Sequence, residues 1–339
     1  MDWRKGFSSQ YYITIVDRET WRDIRRLEIT GGSIKRSTSD LRHSADLNVV
    51  NYNESGEQLI RVWLDAKQNS DSSHTPLFTG YATSPGRSIN GMLVSNQLQC
   101  YSVLKAAEDV MLPRGWYAPA GISAIWQIKE LLKVTKAPVK ILGDVSDPTK
   151  ITLKQAVVAE QNETNLSMIE LLLGIINWRM TLNGRGEIIL DNYPTEPIEV
   201  FDSREHDILE PSLTDEYDWF TCPNVFRAIM DGDYAEARDE DPDSPLSIQN
   251  RGREVWVEES SCNLNENETL AEYARRRLRE CQQVNRVVNY DRRFVPDITV
   301  TDVVQLNYPA QKIVGSFVIM SQSITLGFGA KTSEEVMQI

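Results

Sequence analysis

Three histidines, four cysteines and a surplus of carboxylates are the groups with which this 339-residue chain would have to do chemistry. His43, His74 and His206 each stand in a loop-like polar setting. No two of them are four apart, the spacing that sets a pair of imidazoles on one helix face to grip zinc. Cys100, Cys222, Cys262 and Cys281 lie far apart without paired spacing, which favours free thiols in a reducing compartment over a disulfide framework. Neither Gly-x-Ser-x-Gly nor a Gly-rich loop ending in Lys-Ser or Lys-Thr occurs, so no serine nucleophile or phosphate cradle is written in the chain. Glu205-His206-Asp207 and Asp215-Glu216-Tyr217-Asp218 would suit acid–base work in a hydrolase. With 49 acidic residues such clusters follow from composition alone, and a solvated role is the better account. Arg275, Arg276 and Arg277, with Arg279 a turn after the first, would suit phosphate. The run stands alone in an acidic chain, so a solvated or subunit-facing helix side is favoured, with Glu272 or Glu280 as ion-pair partners for Arg279. No catalytic residue, cofactor or metal is expected.

The formal charge is −13, from 36 basic and 49 acidic residues, the opposite of a protein that grips nucleic-acid phosphates. Acid is densest at about 231–247, where Asp231, Asp233, Glu236, Asp239, Glu240, Asp241 and Asp243 surround Pro242 and Pro245. That segment reads as a solvated loop, or as a surface that repels polyanions. Hydrophobic content of 41% and charged content of 25% are those of a globular protein, and the length suits two or three domains. No apolar run approaches the roughly 20 residues that cross a bilayer, so no membrane insertion is expected. Met1-Asp2-Trp3-Arg4-Lys5 has no apolar core behind its charges and is not read as a secretory signal.

The elements that would position these groups are mostly strands. From Gln10 to about Gln99, short alternating runs are separated by turn residues such as Asp17–Thr20, Gly31-Gly32 and Asn51–Gly56, which predicts a sandwich or barrel. From Tyr101 the period becomes helical. Val103, Leu104, Ala107, Val110 and Met111 share one helix ended by Pro113 and Gly115, and Ile122, Ile125, Ile128 and Leu132 stripe the next beside Trp126. Thr164 or Asn165 caps a third helix, whose run from Met168 to Ile176 predicts burial around most of its circumference. Trp178–Leu182, Asn183-Gly184-Arg185-Gly186 and Glu187–Leu190 then form a tight hairpin. Further strands are expected at Ile198–Phe201, Asn224–Met230, Glu254–Val257, Val303–Leu306 and Phe317–Leu326. A helix over Asn267–Gln282 carries Leu270, Tyr273, Ala274, Leu278 and Cys281 on its apolar face. The fold class is α+β with strands dominant: two β domains around a small helical insertion, divided as 1–100, 101–160 and 161–339.

The order of these segments resembles the phage tail or baseplate hub proteins, including the hub portion of type VI secretion spike proteins. The resemblance is carried by Pro76-Leu77-Phe78-Thr79-Gly80-Tyr81, by Leu98–Ser102 running into a helix, by Tyr117–Leu132 and above all by Thr164–Leu190. Ile298–Leu306 and Gly315–Leu326 are similar to the closing strands, with Thr301 standing where such proteins carry glycine. What the resemblance implies is a homotrimeric ring with two tail-tube-like β-barrel or sandwich domains per subunit, adapting a six-fold tube to a three-fold spike in the virion. Its implied partners are a tail tube or distal tail protein above, a spike or tip protein below and a tape measure protein in the lumen. DNA would pass without specific binding, and the chain would be made in the host cytoplasm. Eight Trp and twelve Tyr supply contact area for such a ring, and negative charge would keep DNA from sticking. The chain has no room after its last strand for a fused spike, lysozyme or peptidase, so wall-cutting is expected on another protein. Arg275, Arg276, Arg277, Arg279 and Asp239 are the first interface candidates. The rival readings are a tail-associated cell-wall hydrolase, with two carboxylates converging in a cleft, and a carbohydrate-binding β-sandwich module.

Overall fold

The alternation that begins near Gln10 folds as six strands that close on themselves. In the computed structural model these are β1 (Ser8–Val16), β2 (Asp23–Ser37), β3 (His43–Val50), β4 (Gln58–Gln68), β5 (Asp71–Asn90) and β6 (Leu93–Ser102). Their order is β1-β4-β5-β6-β3-β2, and β2 pairs back onto β1, so the sheet becomes a barrel without a free edge. Ile13, Ile34, Leu47, Ile60, Val62 and Phe78 fill it. The structure describes the chain apart from residues 40, 91–92, 144–146, 148–149, 206–207, 218, 231, 261, 263, 265–267 and 283–285. Among the sequence candidates His206, Asp207, Asp218, Asp231 and Asn267 therefore lie outside the described residues. The described chain divides into two compact units, residues 1–213 with 289–337 and 339, and residues 214–288 with 338.

After the barrel come α1 (Lys105–Glu108), β7 (Tyr117–Ala118), α2 (Ala124–Leu132), β8 (Val139–Ile141), β9 (Val157–Val158), α3 (Asn165–Ile176), β10 (Trp178–Leu182) and β11 (Ile188–Asn192). The first helix is shorter than its apolar spacing predicts. Asn165 N–H donates to Val110 O at 2.9 Å and Leu112 N–H to Glu163 O at 2.9 Å, so the backbone of its expected last turn pairs with the approach to α3 instead. α3 begins at Thr164, whose hydroxyl accepts from Ser167 N–H in a capping box. Its burial is one-sided rather than all-round: Leu171 and Ile175, one turn apart, are 44% and 50% exposed. The hairpin formed by β10 and β11 docks its tip on the barrel wall. Thr79 Oγ1 donates to Gly184 O at 2.8 Å, and a Cβ on Gly184 would stand 1.9 Å from Pro76 O, so only glycine permits the approach.

β12 (Glu199–Asp202) and β13 (Ile208–Tyr217) lead towards the second unit, which holds β14 (Val225–Met230), β15 (Asp233–Arg238), α4 (Ile248–Arg251), β16 (Trp256–Glu259) and α5 (Leu270–Cys281). β17 (Arg286–Arg292), β18 (Val303–Tyr308), β19 (Ile313–Thr325) and β20 (Thr332–Gln338) complete the chain. The fold is β-dominated α+β, as the sequence predicts. Strands β12-β18-β19-β20-β17-β13 form a second array, continuous with the barrel through β19 and β2. β2 changes partner part-way. Residues 23–28 pair with β1 and residues 33–37 with β19, and the glycine pair read from sequence as a turn lies inside the strand, at its bulge. Gly32 sits at φ +147°, and a Cβ there would lie 2.3 Å from Asp46 O. Gly315 of β19 has the same φ of +147°.

Along this seam the inward side chains are charged. Glu334 accepts from Arg292 Nε at 2.8 Å and Nη2 at 2.6 Å, and both side chains are almost wholly buried. Gln322 donates to Glu334 and to Ile298 O, while Arg36 reaches Gln322 and Leu77 O. Burial, then the charge of Arg292, pulls the Arg36 guanidinium down to about 10. β17 and β20 escape the sequence reading because Arg286, Arg292 and Glu334 interrupt their inward apolar residues Val288, Tyr290 and Val336. Arg179 of β10 donates to Thr301 Oγ1 at 2.7 Å and to Asp302 at 3.1 Å. Thr301 has φ +67°, a left-handed backbone despite a β-branched side chain.

His43 is buried in β3 rather than lying in a polar loop, and burial beside Arg36 and Arg42 holds its pKa well below the ordinary histidine value. His74 also lies in a strand, stacked on Trp63 at 4.0 Å. Two outcomes follow for unfolding measured in urea. Glu334→Ala leaves the Arg292 cation buried and unpaired and should remove about 3–5 kcal/mol, whereas the joint change Arg292→Met with Glu334→Leu should cost clearly less. For His43 the unfolded chain takes the proton first. Stability is therefore full above about pH 6.5 and falls below it by up to about 1.4 kcal/mol per pH unit, and His43→Gln should flatten that slope.

Candidate interface

The unit of residues 214–288 is built on the sheet β15-β14-β16, with β14 central. The front of the acidic segment is a strand rather than a loop: Asp233–Arg238 pairs antiparallel with Val225–Met230, and Gly232 at φ +90° lies in the turn. α5 covers one face, where Phe226, Ala228, Ala237, Tyr273, Ala274 and Leu278 are buried together. The helix starts at Thr269, which accepts from Glu272 N–H while Glu272 accepts from Thr269 N–H at 2.9 Å.

The arginine run divides between two roles. Arg276 bonds Glu268 at 2.8 Å and Glu280 at 3.0 Å, and Arg277 bonds Glu259 at 3.2 Å and Glu280 at 2.7 Å. Arg275 and Arg279 are exposed. Glu280 is taken by the two middle arginines and Glu272 serves the cap, so among the described residues Arg279 has neither expected partner in an ion pair. Asp239 organises the loop that follows β15, accepting from Ser244 Oγ and Gln282 Nε2 at 2.7 Å each and from Asp241 N–H at 3.2 Å. Gln282 ties that loop to the end of α5, so Asp239 and the arginine helix share one side of the unit.

The other face of the sheet was not singled out from sequence. Arg227 projects between Glu236 at 2.8 Å and Glu258 at 3.2 Å, and its guanidinium lies 4.8 Å from the Trp256 ring and 5.6 Å from Tyr234. The Arg238 guanidinium lies 5.6 Å from the same Trp256 ring, with Tyr234 67% and Trp256 42% exposed. Aromatic rings beside arginines are what interface centres are enriched in. The signal was the alternation Tyr234, Glu236, Arg238, masked by the overall acidity of its segment. Of the carboxylates weighed for acid–base work, Asp215 accepts from Arg286 through both oxygens at 2.8 Å, an ion-pair role. Among the described residues no three His, Cys, Asp or Glu side chains converge as a metal site.

No family model and no curated protein matches the sequence. Solved structures nonetheless share the fold. The 43-kDa tail protein of prophage MuSo2 from Shewanella oneidensis matches with a TM-score of 0.69 at 14% identity, over 97% of this chain and 97% of that one. A tail protein from Neisseria meningitidis MC58 gives 0.68 at 14% identity, over 97% of each chain. An Escherichia coli component of the type VI secretion system, described as similar to the T4 bacteriophage tail proteins gp27 and gp5, gives 0.53 at 8% identity over 92% of this chain and 74% of that one. The fold is that of phage tail proteins, as the order of segments in the sequence implied.

Thr269→Ala should lower stability by about 1 kcal/mol through loss of the cap, read in thermal unfolding. Joint replacement of Arg275 and Arg279 by alanine should change it by less than about 0.5 kcal/mol, because both are exposed.

Proposed function

We propose that the chain is a structural subunit of a phage or phage-like tail baseplate, the hub that joins tube to spike, and that it carries no catalysis. In this reading three copies form a ring in the virion. Residues 1–100 supply a first tube-like domain, residues 101–160 buttress it, and residues 161–339 carry a second. Six similar domains then meet a six-fold tube or distal tail protein above, and three subunits meet a spike or tip protein below. A tape measure protein and later DNA pass through the lumen, where a subunit charge of −13 disfavours phosphate contacts. The observation that carries the proposal is the doubling of the β architecture within a fold shared along its whole length with tail proteins. A closed six-stranded barrel is followed by a second six-stranded array, and β2 and β19 each hold a glycine at φ +147° followed by serine. Arg275, Arg276, Arg277, Arg279 and Asp239 remain the proposed contacts of the 214–288 unit, joined now by Arg227, Tyr234 and Trp256.

Light scattering should give three times the 38.6-kDa monomer mass, and electron microscopy with the tube protein should show three-fold rings. Duplex DNA should not be retained at any salt concentration. A monomer that clears a cell-wall suspension, or tight salt-sensitive DNA binding, would overturn the proposal.

A further inference from the structure

The turn between β19 and β20 holds a phenylalanine out into solvent. Phe328 is 92% exposed, while Leu326 and Ala330 on either side are buried in the barrel core. The tip is braced. Tyr11 Oη donates to Gly327 O at 2.8 Å, Ala330 N–H to Gly327 O at 3.2 Å, and Thr325 N–H to Lys331 O at 2.9 Å. An aromatic ring on a fixed turn offers contact area with little conformational entropy left to lose on binding.

Its surroundings carry the opposite charge to the rest of the chain. Two clefts, of about 200 and 580 Å³, meet at Phe328, and Lys5, Lys67, Arg293 and Lys331 contribute to their walls. Asp2 is the one carboxylate among the described lining residues. Lys5 pairs with Asp2 and Lys331 with Asp291, yet the side chains of both lysines remain more than half exposed. A local excess of cations in a chain of net charge −13 fits an acidic partner surface.

We propose that this knob and its basic rim form one half of the contact between neighbouring copies of this chain. The other half is an acidic surface of the next copy. A ring needs such a contact, because rotation about its axis brings two different surfaces together at every junction. The inference rests on the ring reading above and adds the residues that close it. Burial of one Phe side chain at the centre of a contact corresponds to at least about a tenfold change in association.

Light scattering over a concentration series tests it on the full chain. The wild type should be trimeric and dissociate more readily as salt rises. Phe328→Asp should weaken association at least about tenfold at an unchanged melting temperature, and Phe328→Tyr should keep it. Lys5→Glu with Lys331→Glu should weaken it without touching the ring. If Phe328→Asp melts early, Phe328→Ala decides in its place. A wild-type trimer that persists at full strength in the Phe328 and lysine variants overturns this inference and leaves the ring reading standing. A wild type that stays monomeric at every concentration removes both.

Discussion

A carboxylate and a guanidinium shut away from the surface, Glu334 and Arg292, sit where the barrel runs into the second β array. Their charges are tolerable because each has partners: two bonds between them, Gln322 on Glu334, and Arg293 O on Arg292. Arg36 extends the row across β2 to Leu77 O in the barrel wall. An apolar seam of the same shape would hold as well or better, and burial of one face would already disfavour a one-residue slip. Charged partners with fixed geometry add to that, since a shift of one residue strands a buried ion. The ion pair thereby favours one register between β17 and β20, and Arg36 links β2 to β19 through Gln322.

Backbone geometry at the same seam is set by a few residues that leave the ordinary strand conformation. β2 can pair with β1 and then with β19 because Gly32 accepts a φ that a side chain would oppose and lets the strand pass close over Asp46. At Thr301 the backbone is left-handed without glycine. The Thr301 hydroxyl is held by Arg179, and Thr301 N–H donates to Ile319 O at 2.8 Å. Strain in one residue is offset by hydrogen bonds from two neighbouring elements. The β10–β11 hairpin is joined to the barrel in a comparable way, through a tip whose glycine touches the backbone of β5.

The surfaces proposed for assembly follow a common physical pattern. In the 214–288 unit, Arg227 lies over Trp256 and Tyr234 and is paired with Glu236 and Glu258. At the barrel end, a bare phenylalanine stands among lysines and Arg293. Both arrangements limit the entropy lost on docking, the first by locking long side chains beforehand and the second by using a ring on a braced turn.

Composition and local periodicity determined the fold class, the barrel strands, the capped helix at Thr164 and the Asn183–Gly186 hairpin, because each is decided by residues within a few positions of one another. The order of those segments also carried the resemblance to tail proteins. Tertiary structure decided what depends on partners distant in sequence. β17 and β20 are invisible to an apolar pattern, since Arg292 needs Glu334, 42 residues away, before it can face inward. The expected helix through Val110 and Met111 yields to pairing with residues 163–165, and His43 is buried by strands that its neighbours in sequence do not announce. The candidate interface divided the same way. Its arginine helix was legible as a periodic run, whereas Arg227 with Trp256 and the exposed Phe328 became visible only once the sheet and the turn had placed them.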